Sequence, residues 1–159
     1  MRVLDFLPIA RAVASLSKDP RTKVGAVILG PAFEIRSTGW NGFPRHVGDF
    51  QERWNIREVK YQYVCHAEAN AITNAARMGT PLDNCILLVT GLFPCQECAK
   101  LIIQSGIASV FVPDQDIDPA WEDSFQLSRE MFREAGVALH FYDPDFDPQK
   151  IVDNQPTLF

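Results

Sequence analysis

Apolar positions along the chain follow the period of an α-helix in some segments and form short strand-like runs in others. Phe6, Ile9 and Val13 begin an apolar stripe at helical spacing, with Asp5 as its predicted cap. Helix-forming runs that end at a glycine predict further helices at residues 66–78, 95–105 and 121–135. Apolar runs bounded by turn residues predict five strands, at residues 24–29, 35–40, 85–90, 108–113 and 137–142. This succession of elements indicates an α/β protein.

The order of the predicted elements indicates how the strands pair. Gly30 and Pro31 make a short connection between the first two strands, which favours a hairpin. A helix between the last two strands permits a parallel crossover. Two segments are less regular. Residues 17–23 form a polar break after the first helix, and residues 49–63 suggest a short helix followed by an extended segment.

Length, composition and charge restrict the function classes. The 159 residues suit a single domain over 1–159, with a core at about 5–142 and a weakly patterned tail at 143–159. The net charge of −5 argues against a nucleic acid polymer as partner, although one nucleotide phosphate needs only a local cationic pocket. No apolar run approaches the ~20 residues of a membrane span, and the N-terminus lacks a signal-peptide pattern. A cytoplasmic location without membrane association is therefore expected.

Two short motifs carry the chemistry. His66 and Glu68 open one predicted helix, and Cys95 and Cys98 open the next one. Catalytic zinc commonly takes three ligands from histidine, cysteine and carboxylate side chains and leaves its fourth position to water. His66, Cys95 and Cys98 would supply one nitrogen and two sulfurs, which leaves Glu68 free to move protons. The motif pair matches the signature of zinc-dependent nucleobase deaminases.

The cysteine pair also has simpler interpretations than a catalytic zinc site. A Cys-x-x-Cys pair also occurs as a redox dithiol or as half of a structural zinc knuckle. The remaining candidates for a fourth ligand stand at no repeated knuckle spacing; they are Cys65, Cys85, His46 and His140. Residues two apart on a regular helix do not share a face. His66 and Glu68 can therefore serve one site only if the helix begins there.

Several ordered pieces of the chain resemble the deoxycytidylate (dCMP) deaminase family of the cytidine deaminase-like superfamily. They are Ser-Lys-Asp-Pro at 17–20, Val-Gly-Ala at 24–26, Asn-Gly-Phe-Pro-Arg at 41–45, Tyr-Val-Cys-His-Ala-Glu at 63–68, and the segment 92–104 around Leu-Phe-Pro-Cys. The resemblance implies a three-layer α/β/α sandwich around a five-stranded mixed sheet. It implies zinc ligation by His66, Cys95 and Cys98, with Glu68 as the general acid and base. The implied reaction is hydrolysis of dCMP to dUMP and ammonia, which feeds thymidylate synthesis.

Substrate contacts are expected from residues in and around these motifs. The family's sugar-contacting asparagine corresponds to Asn41, and Ala67, Phe93 and Pro94 belong to the zinc motifs themselves. Four cations favour a phosphorylated substrate over a free nucleoside; they are Lys18, Arg21, Lys23 and Arg45.

The resemblance also implies assembly and regulation. Family members are commonly homo-oligomers, often hexamers, which dCTP activates and dTTP inhibits, with Mg²⁺ accompanying the effector nucleotide. This chain has Trp40 where regulated members usually have tyrosine, so control by these effectors is left open. Some relatives hold a second, structural zinc in the loop before the His-Ala-Glu motif. That loop contains His46 and no cysteine here, which predicts one zinc per subunit.

Three alternatives remain at the level of sequence. The same chemistry suits another cytosine nucleotide, such as CMP, dCTP or a 5-substituted dCMP. A tRNA adenosine deaminase would share the zinc motifs, but the acidic charge balance disfavours it. A zinc-stabilised nucleotide-binding module without catalysis would have no use for the unliganded carboxylate of Glu68.

Overall fold

Five strands form a mixed sheet in the computed structural model, which describes residues 2–149. The strands are β1 (Gly25–Leu29), β2 (Ile35–Trp40), β3 (Ile86–Val89), β4 (Ser109–Pro113) and β5 (Ala138–Tyr142). Their order across the sheet is β2-β1-β3-β4-β5. β1 runs antiparallel to both β2 and β3, whereas β3, β4 and β5 are parallel. The predicted hairpin and the predicted parallel crossover are both confirmed.

Six helices accompany the sheet in this part of the chain. They are α1 (Leu7–Ser15), α2 (Gln51–Asn55), α3 (Arg57–Tyr63), α4 (Ala67–Met78), α5 (Gln96–Gln104) and α6 (Glu122–Ala135). Short 3₁₀ turns at Val3–Phe6 and Pro119–Trp121 precede α1 and α6. Gly79 and Gly136 end α4 and α6 in the left-handed conformation that glycine adopts without strain.

Alternation of side chains along β1 produces the layers. Ala26 and Ile28 face a core shared with α4, α5 and α6, while Val27 and Leu29 face α1. The sheet therefore lies between two helical layers. The expected three-layer α/β/α architecture with a five-stranded mixed sheet is confirmed.

Two sequence predictions about local structure are wrong. The segment 57–63 is not extended but forms α3. Tertiary contacts hold both short helices, because Trp54 of α2 stacks on Phe43 with ring centroids 4.0 Å apart and Lys60 of α3 is buried in an ion pair. Asp5 does not precede the first helix as its cap. It lies within the 3₁₀ turn, where its carboxylate accepts a hydrogen bond from the backbone N–H of Arg2 at 2.8 Å.

The sheet brings the starts of two helices to one edge. Because β2 and β3 both run antiparallel to β1, their C-terminal ends lie at the same edge. α5 begins shortly after β3, and a backbone bridge between Gly42 and Cys65 ties the start of α4 to the end of β2. The motifs at residues 66–68 and 95–98 therefore meet there.

The ends of the chain are described in part. Between residues 2 and 149, no helix combines the length and the apolar character needed to cross a membrane. The predicted tail begins by packing on α1, where Arg11 donates hydrogen bonds to the carbonyls of Pro144 and Phe146. The rest of that tail, residues 150–159, lies outside the described residues.

Candidate metal centre and catalytic cleft

His66, Cys95 and Cys98 converge at the starts of α4 and α5. His66 occupies the N-cap of α4, Cys95 occupies the N-cap of α5, and Cys98 lies in the first turn of α5. The Nδ1 atom of His66 lies 3.4 Å from the Cys95 sulfur and 3.5 Å from the Cys98 sulfur. All three ligand atoms lie within 4.8 Å of one another. The structure thus unites the three residues that the sequence singles out as metal ligands.

The spacing of these atoms fits tetrahedral zinc. Zn–N bonds of about 2.0–2.1 Å and a Zn–S bond of about 2.3 Å place nitrogen and sulfur about 3.6 Å apart at a tetrahedral angle. The two observed nitrogen-to-sulfur distances, 3.4 and 3.5 Å, are close to that edge length. One imidazole and two thiols also form the mixed nitrogen and sulfur set that zinc prefers.

Interactions within the cysteine pair favour a thiolate at Cys95. The pKa of Cys95 is lowered to about 4, mainly by a hydrogen bond from the Cys98 thiol and to a smaller extent by the contact with His66. The same hydrogen bond, together with burial, raises the pKa of Cys98. The positive end of the α5 dipole also favours a thiolate at Cys95. A divalent cation would displace the remaining thiol proton, as metal binding to cysteine generally does.

Glu68 lies beside these ligands in the first turn of α4. Its side chain is buried, and burial raises the pKa of its carboxyl group. Because α4 begins at Ala67, both His66 and Glu68 reach the same cleft. The sequence-based condition that the helix should start at this point is therefore met.

A cleft of about 270 Å³ opens in front of the cluster. This volume is near the lower limit for small-molecule sites in proteins. Its polar lining includes Asp19, Arg21, Asn41, Arg57, Lys60, His66, Glu68 and Asp118. Its apolar lining includes Val24, Tyr61, Val64, Ala67, Leu92, Phe93, Trp121 and Phe125. The cleft thus combines charged groups with flat aromatic surfaces, which suits a polar ring compound that carries an anionic group.

Asn41 belongs to a buried network that shapes the cleft wall. Its side-chain oxygen accepts a hydrogen bond from the Val24 N–H at 2.8 Å, and its amide donates to the Thr22 carbonyl at 2.9 Å and to Asp19 at 3.4 Å. Asp19 also accepts a hydrogen bond from the Lys60 ammonium at 3.0 Å. Both amide hydrogens of Asn41 are therefore used within the protein. A sugar contact by Asn41, which lines the cleft, stays a prediction.

The family model of the cytidine and deoxycytidylate deaminase zinc-binding region matches residues 2–113, well over half of the chain. The chain belongs to this family. It is similar to human deoxycytidylate deaminase, with 41% identity over 145 residues that cover 87% of this chain and 78% of the human protein. An uncharacterized deaminase encoded in the 3′ region of luxG in Aliivibrio fischeri is 45% identical over 136 residues, which cover 84% of this chain and 88% of that protein.

A solved deaminase shares the fold. The crystal structure of dCMP deaminase from cyanophage S-TIM5, in complex with dCMP and dUMP, matches with a TM-score of 0.70 and 22% identity over 89% of this chain and 99% of that one. At this level of identity the likeness shows the fold alone. The cytidine deaminase-like fold that the resemblance implies is confirmed.

Of the four cations predicted to contact a phosphorylated substrate, one lines the cleft and three do not. Arg21 lines the cleft. The other three do not line it: the Lys18 ammonium pairs with Asp49 at 2.7 Å, the Lys23 ammonium turns to the Ser15 carbonyl at 3.4 Å, and Arg45 bonds Asn74 at 2.5 Å.

Of the three motif residues that are expected to contact substrate, two line the cleft. Ala67 and Phe93 line the cleft, while Pro94 is buried directly before Cys95 and is not part of the lining. Their roles in substrate binding stay predictions.

Sequence reasoning missed the contribution of α3. Arg57, Lys60 and Tyr61 all line the cleft, and Tyr61 meets Trp121 edge to face with centroids 5.8 Å apart. The spacing of Arg57 and Lys60 is the signal that could have found them, because residues three apart share a face of a helix. In an extended segment this spacing has no such meaning, so the prediction of an extended segment left these residues out of the predicted site.

Proposed function

We propose that this protein hydrolytically deaminates dCMP to dUMP with release of ammonia. One observation carries the proposal: a histidine and two cysteines meet at tetrahedral spacing beside the buried carboxylate of Glu68, inside a cleft. The identity of 41% to a deoxycytidylate deaminase supports dCMP as the substrate.

His66, Cys95 and Cys98 would hold one zinc ion. When bound, zinc acts as a Lewis acid that lowers the pKa of a water molecule toward ~7. Glu68 is the proton carrier. It accepts one proton from the attacking water and gives it to N3 of the cytosine ring, and it then takes the second proton from the new C4 hydroxyl group and passes it to the amino group, which leaves as ammonia. The C4–N bond breaks and a C4–O bond forms, so no oxidant or reductant is required.

The apolar lining would hold the cytosine ring. Phe93 lies two residues before Cys95, and its ring packs on Phe125 with centroids 5.4 Å apart. Both side chains are buried. Such a wall excludes water from the reacting carbon and strengthens the electrostatic action of Glu68.

The proposal also covers how the protein assembles, how it is regulated and where in the cell it lies. We infer a homo-oligomer, with a hexamer as the expected form, and effector control by dCTP and dTTP with Mg²⁺. Ile35 and Trp40 are exposed on β2, an edge strand of the described sheet, and are apolar side chains that an oligomer interface would cover. A cytoplasmic location is proposed with these properties. Light scattering in the absence and presence of dCTP tests the oligomeric state.

A substrate panel tests the reaction. Purified, zinc-loaded protein is assayed for ammonia release from dCMP, CMP, deoxycytidine, dCTP and 5-methyl-dCMP, each with and without dCTP or dTTP as effector. We expect the highest kcat/KM for dCMP. Preferential turnover of another pyrimidine nucleotide would contradict the proposed substrate. Absence of ammonia from every compound, with bound zinc confirmed, would contradict the enzyme assignment.

A further inference from the structure

The start of helix α5, which presents both cysteines of the metal centre, has no cap of its own. Cys95 occupies the N-cap position, where serine, threonine, asparagine or aspartate usually accepts a hydrogen bond from a backbone N–H of the first turn. Sulfur is a weak hydrogen-bond acceptor, and the Cys95 side chain makes no capping hydrogen bond. The backbone N–H groups at the start of α5 therefore need acceptors from elsewhere in the protein.

Ser124 of α6 supplies one of these acceptors. Its hydroxyl oxygen accepts a hydrogen bond from the backbone N–H of Gln96 at 3.1 Å. Gln96 directly follows Cys95 and is the first residue of α5, so this bond acts one residue away from a metal ligand. The two bonded residues are 28 positions apart in the sequence. A neighbouring helix thus caps α5 in place of the residue that would ordinarily do so.

Helix α6 also holds the chain on the other side of Cys95. Side chains of α6 contact the ring of Phe93, which lies two residues before Cys95. The Phe125 ring lies 5.4 Å from that of Phe93 between centroids, and the Arg129 guanidinium lies 5.2 Å from the Phe93 centroid. Cys95 therefore lies between two positions that α6 fixes, by side-chain packing at Phe93 and by a hydrogen bond at Gln96.

We infer that Ser124 is a positioning residue for the metal centre: its hydroxyl group holds the start of α5, so that Cys95 and Cys98 keep the spacing that tetrahedral zinc requires. The inference rests on the zinc site of the proposed function and adds a residue that neither belongs to the ligand cluster nor lines the cleft. Metal–ligand distances hold to within about 0.2 Å. Groups that orient a metal ligand typically contribute about 10- to 100-fold to metal affinity.

Zinc affinity tests this role. Zinc-loaded wild type, Ser124→Ala and Ser124→Thr are titrated with a chelator of known affinity, and the zinc that each protein retains is measured. Ser124→Ala lacks the hydroxyl group and should bind zinc about 10- to 100-fold more weakly than wild type. Ser124→Thr keeps a hydroxyl group that can accept the Gln96 N–H, so its zinc affinity should stay within about threefold of wild type.

Ser128→Ala is the matched control, because it makes the same chemical change one turn further along α6. Ser128 is fully buried, and among residues 2–149 its hydroxyl oxygen has no hydrogen-bond partner. Removal of an unpaired hydroxyl group should leave the zinc affinity within about twofold of wild type. A loss of affinity in Ser128→Ala or Ser124→Thr as large as that in Ser124→Ala would overturn the inference, since the hydrogen bond to Gln96 would then not be its cause.

Cobalt(II) in place of zinc separates positioning from a general loss of stability. The charge-transfer and ligand-field bands of cobalt bound by thiolates depend on the geometry of the sulfur ligands. We expect these bands to be altered in Ser124→Ala and to match wild type in Ser124→Thr and Ser128→Ala. If the hydroxyl group of Ser124 served only to stabilise the packed helices, Ser124→Ala would unfold at a lower urea concentration but keep wild-type bands and zinc affinity. That result would overturn the inference.

The zinc and cobalt measurements do not depend on the reaction. Wild-type protein that binds zinc but releases no ammonia from any nucleotide would contradict the proposed reaction alone. Weaker zinc binding by Ser124→Ala, together with recovery in Ser124→Thr, would still support the positioning role of Ser124 in that case. The failure of the inference and the failure of the proposed function are thereby distinguished.

Discussion

At the scale of single residues, Asp19 is the most heavily bonded polar group beside the cleft. Its carboxylate accepts hydrogen bonds from the backbone of Arg21 and Thr22 and from the side chains of Lys60 and Asn41. Burial opposes ionisation of this carboxyl group, but the backbone N–H groups of Arg21 and Thr22 and the Lys60 ammonium outweigh burial and lower the pKa of Asp19 below its ordinary value. Asp19 is therefore expected to stabilise the folded protein in its charged form.

Asp19→Asn tests this role. The variant places an amide N–H against the Lys60 ammonium and leaves a buried charge without its partner, which should lower the free energy of unfolding at pH 7 by about 3–5 kcal/mol. Because the folded-state pKa of Asp19 is lowered, its stabilisation is present above the unfolded-state pKa, near 3.9, and is lost as the pH falls through the folded-state value. The difference between wild type and variant should therefore shrink below about pH 4. Urea unfolding from pH 7 to pH 3 measures it.

Asp49→Asn provides the comparison, because it makes the same chemical change in an exposed ion pair. The Lys18 and Asp49 side chains are 66% and 36% exposed. Loss of that pair should cost less than about 1 kcal/mol. Equal effects of the two substitutions at pH 7, or a difference for Asp19→Asn that grows below pH 4, would contradict the assigned role of Asp19.

Single residues also differ in how far their place in the site can be predicted from the sequence. The metal cluster was foreseeable because His66, Cys95 and Cys98 lie in two short motifs at helix starts, where local structure fixes their direction. Which of the predicted cations line the cleft depends on tertiary placement instead. Lys23 stands two residues from Arg21 in the sequence, yet only Arg21 lines the cleft.

At the scale of elements, the close approach of α4 to β2 holds the start of α4 in place. Gly39 lies in β2 beneath α4, and an added Cβ would come within 2.9 Å of the Ala71 Cα and closer still to backbone atoms of Ala67 and Ala71. Real side chains do not tolerate such contacts with a backbone. The helix that presents His66 and Glu68 can therefore pack this closely on β2 only if position 39 is glycine.

Gly39→Ala should displace α4 and destabilise the protein. Overpacking of this kind typically costs 1–3 kcal/mol. We expect a lower midpoint in chemical unfolding together with weaker retention of zinc in a chelator competition, because the start of α4 would shift away from Cys95. Gly42→Ala is the control, since an added Cβ there meets only the Trp40 ring at 3.7–3.8 Å. Gly39→Ala with control-like stability and zinc affinity would refute this account of helix placement.

Element prediction failed where tertiary contacts decide local structure. The segment 51–63 is held by the stacking of Trp54 on Phe43 and by the buried pair of Lys60 with Asp19. Neither contact is visible in a local pattern of polar and apolar residues. By contrast, β2 was predicted at its observed limits, because a run ending in Gly39 and Trp40 gives a clear strand and turn signal.

At the scale of the whole molecule, the sheet order converts two separate motifs into one site. The antiparallel position of β1 between β2 and β3 directs the ends of both neighbours to one edge. Hydrophobic runs predicted the strands, and the connections between them predicted two of the pairings, but neither contained information on the full strand order. The family resemblance implied a five-stranded mixed sheet, which the structure confirms, but the order of its strands is a finding of the structure alone.

The proposed deamination depends on proton transfer by Glu68 beside the metal that His66, Cys95 and Cys98 would hold. The most direct test compares ammonia release from dCMP by wild type and Glu68→Gln, each purified with its zinc content measured. General acid–base catalysis by one group typically contributes 10²–10⁴-fold. We predict equal zinc content in both proteins and a loss of at least 10²-fold in kcat for the variant. Activity of Glu68→Gln within tenfold of wild type, at equal zinc content, would contradict the account.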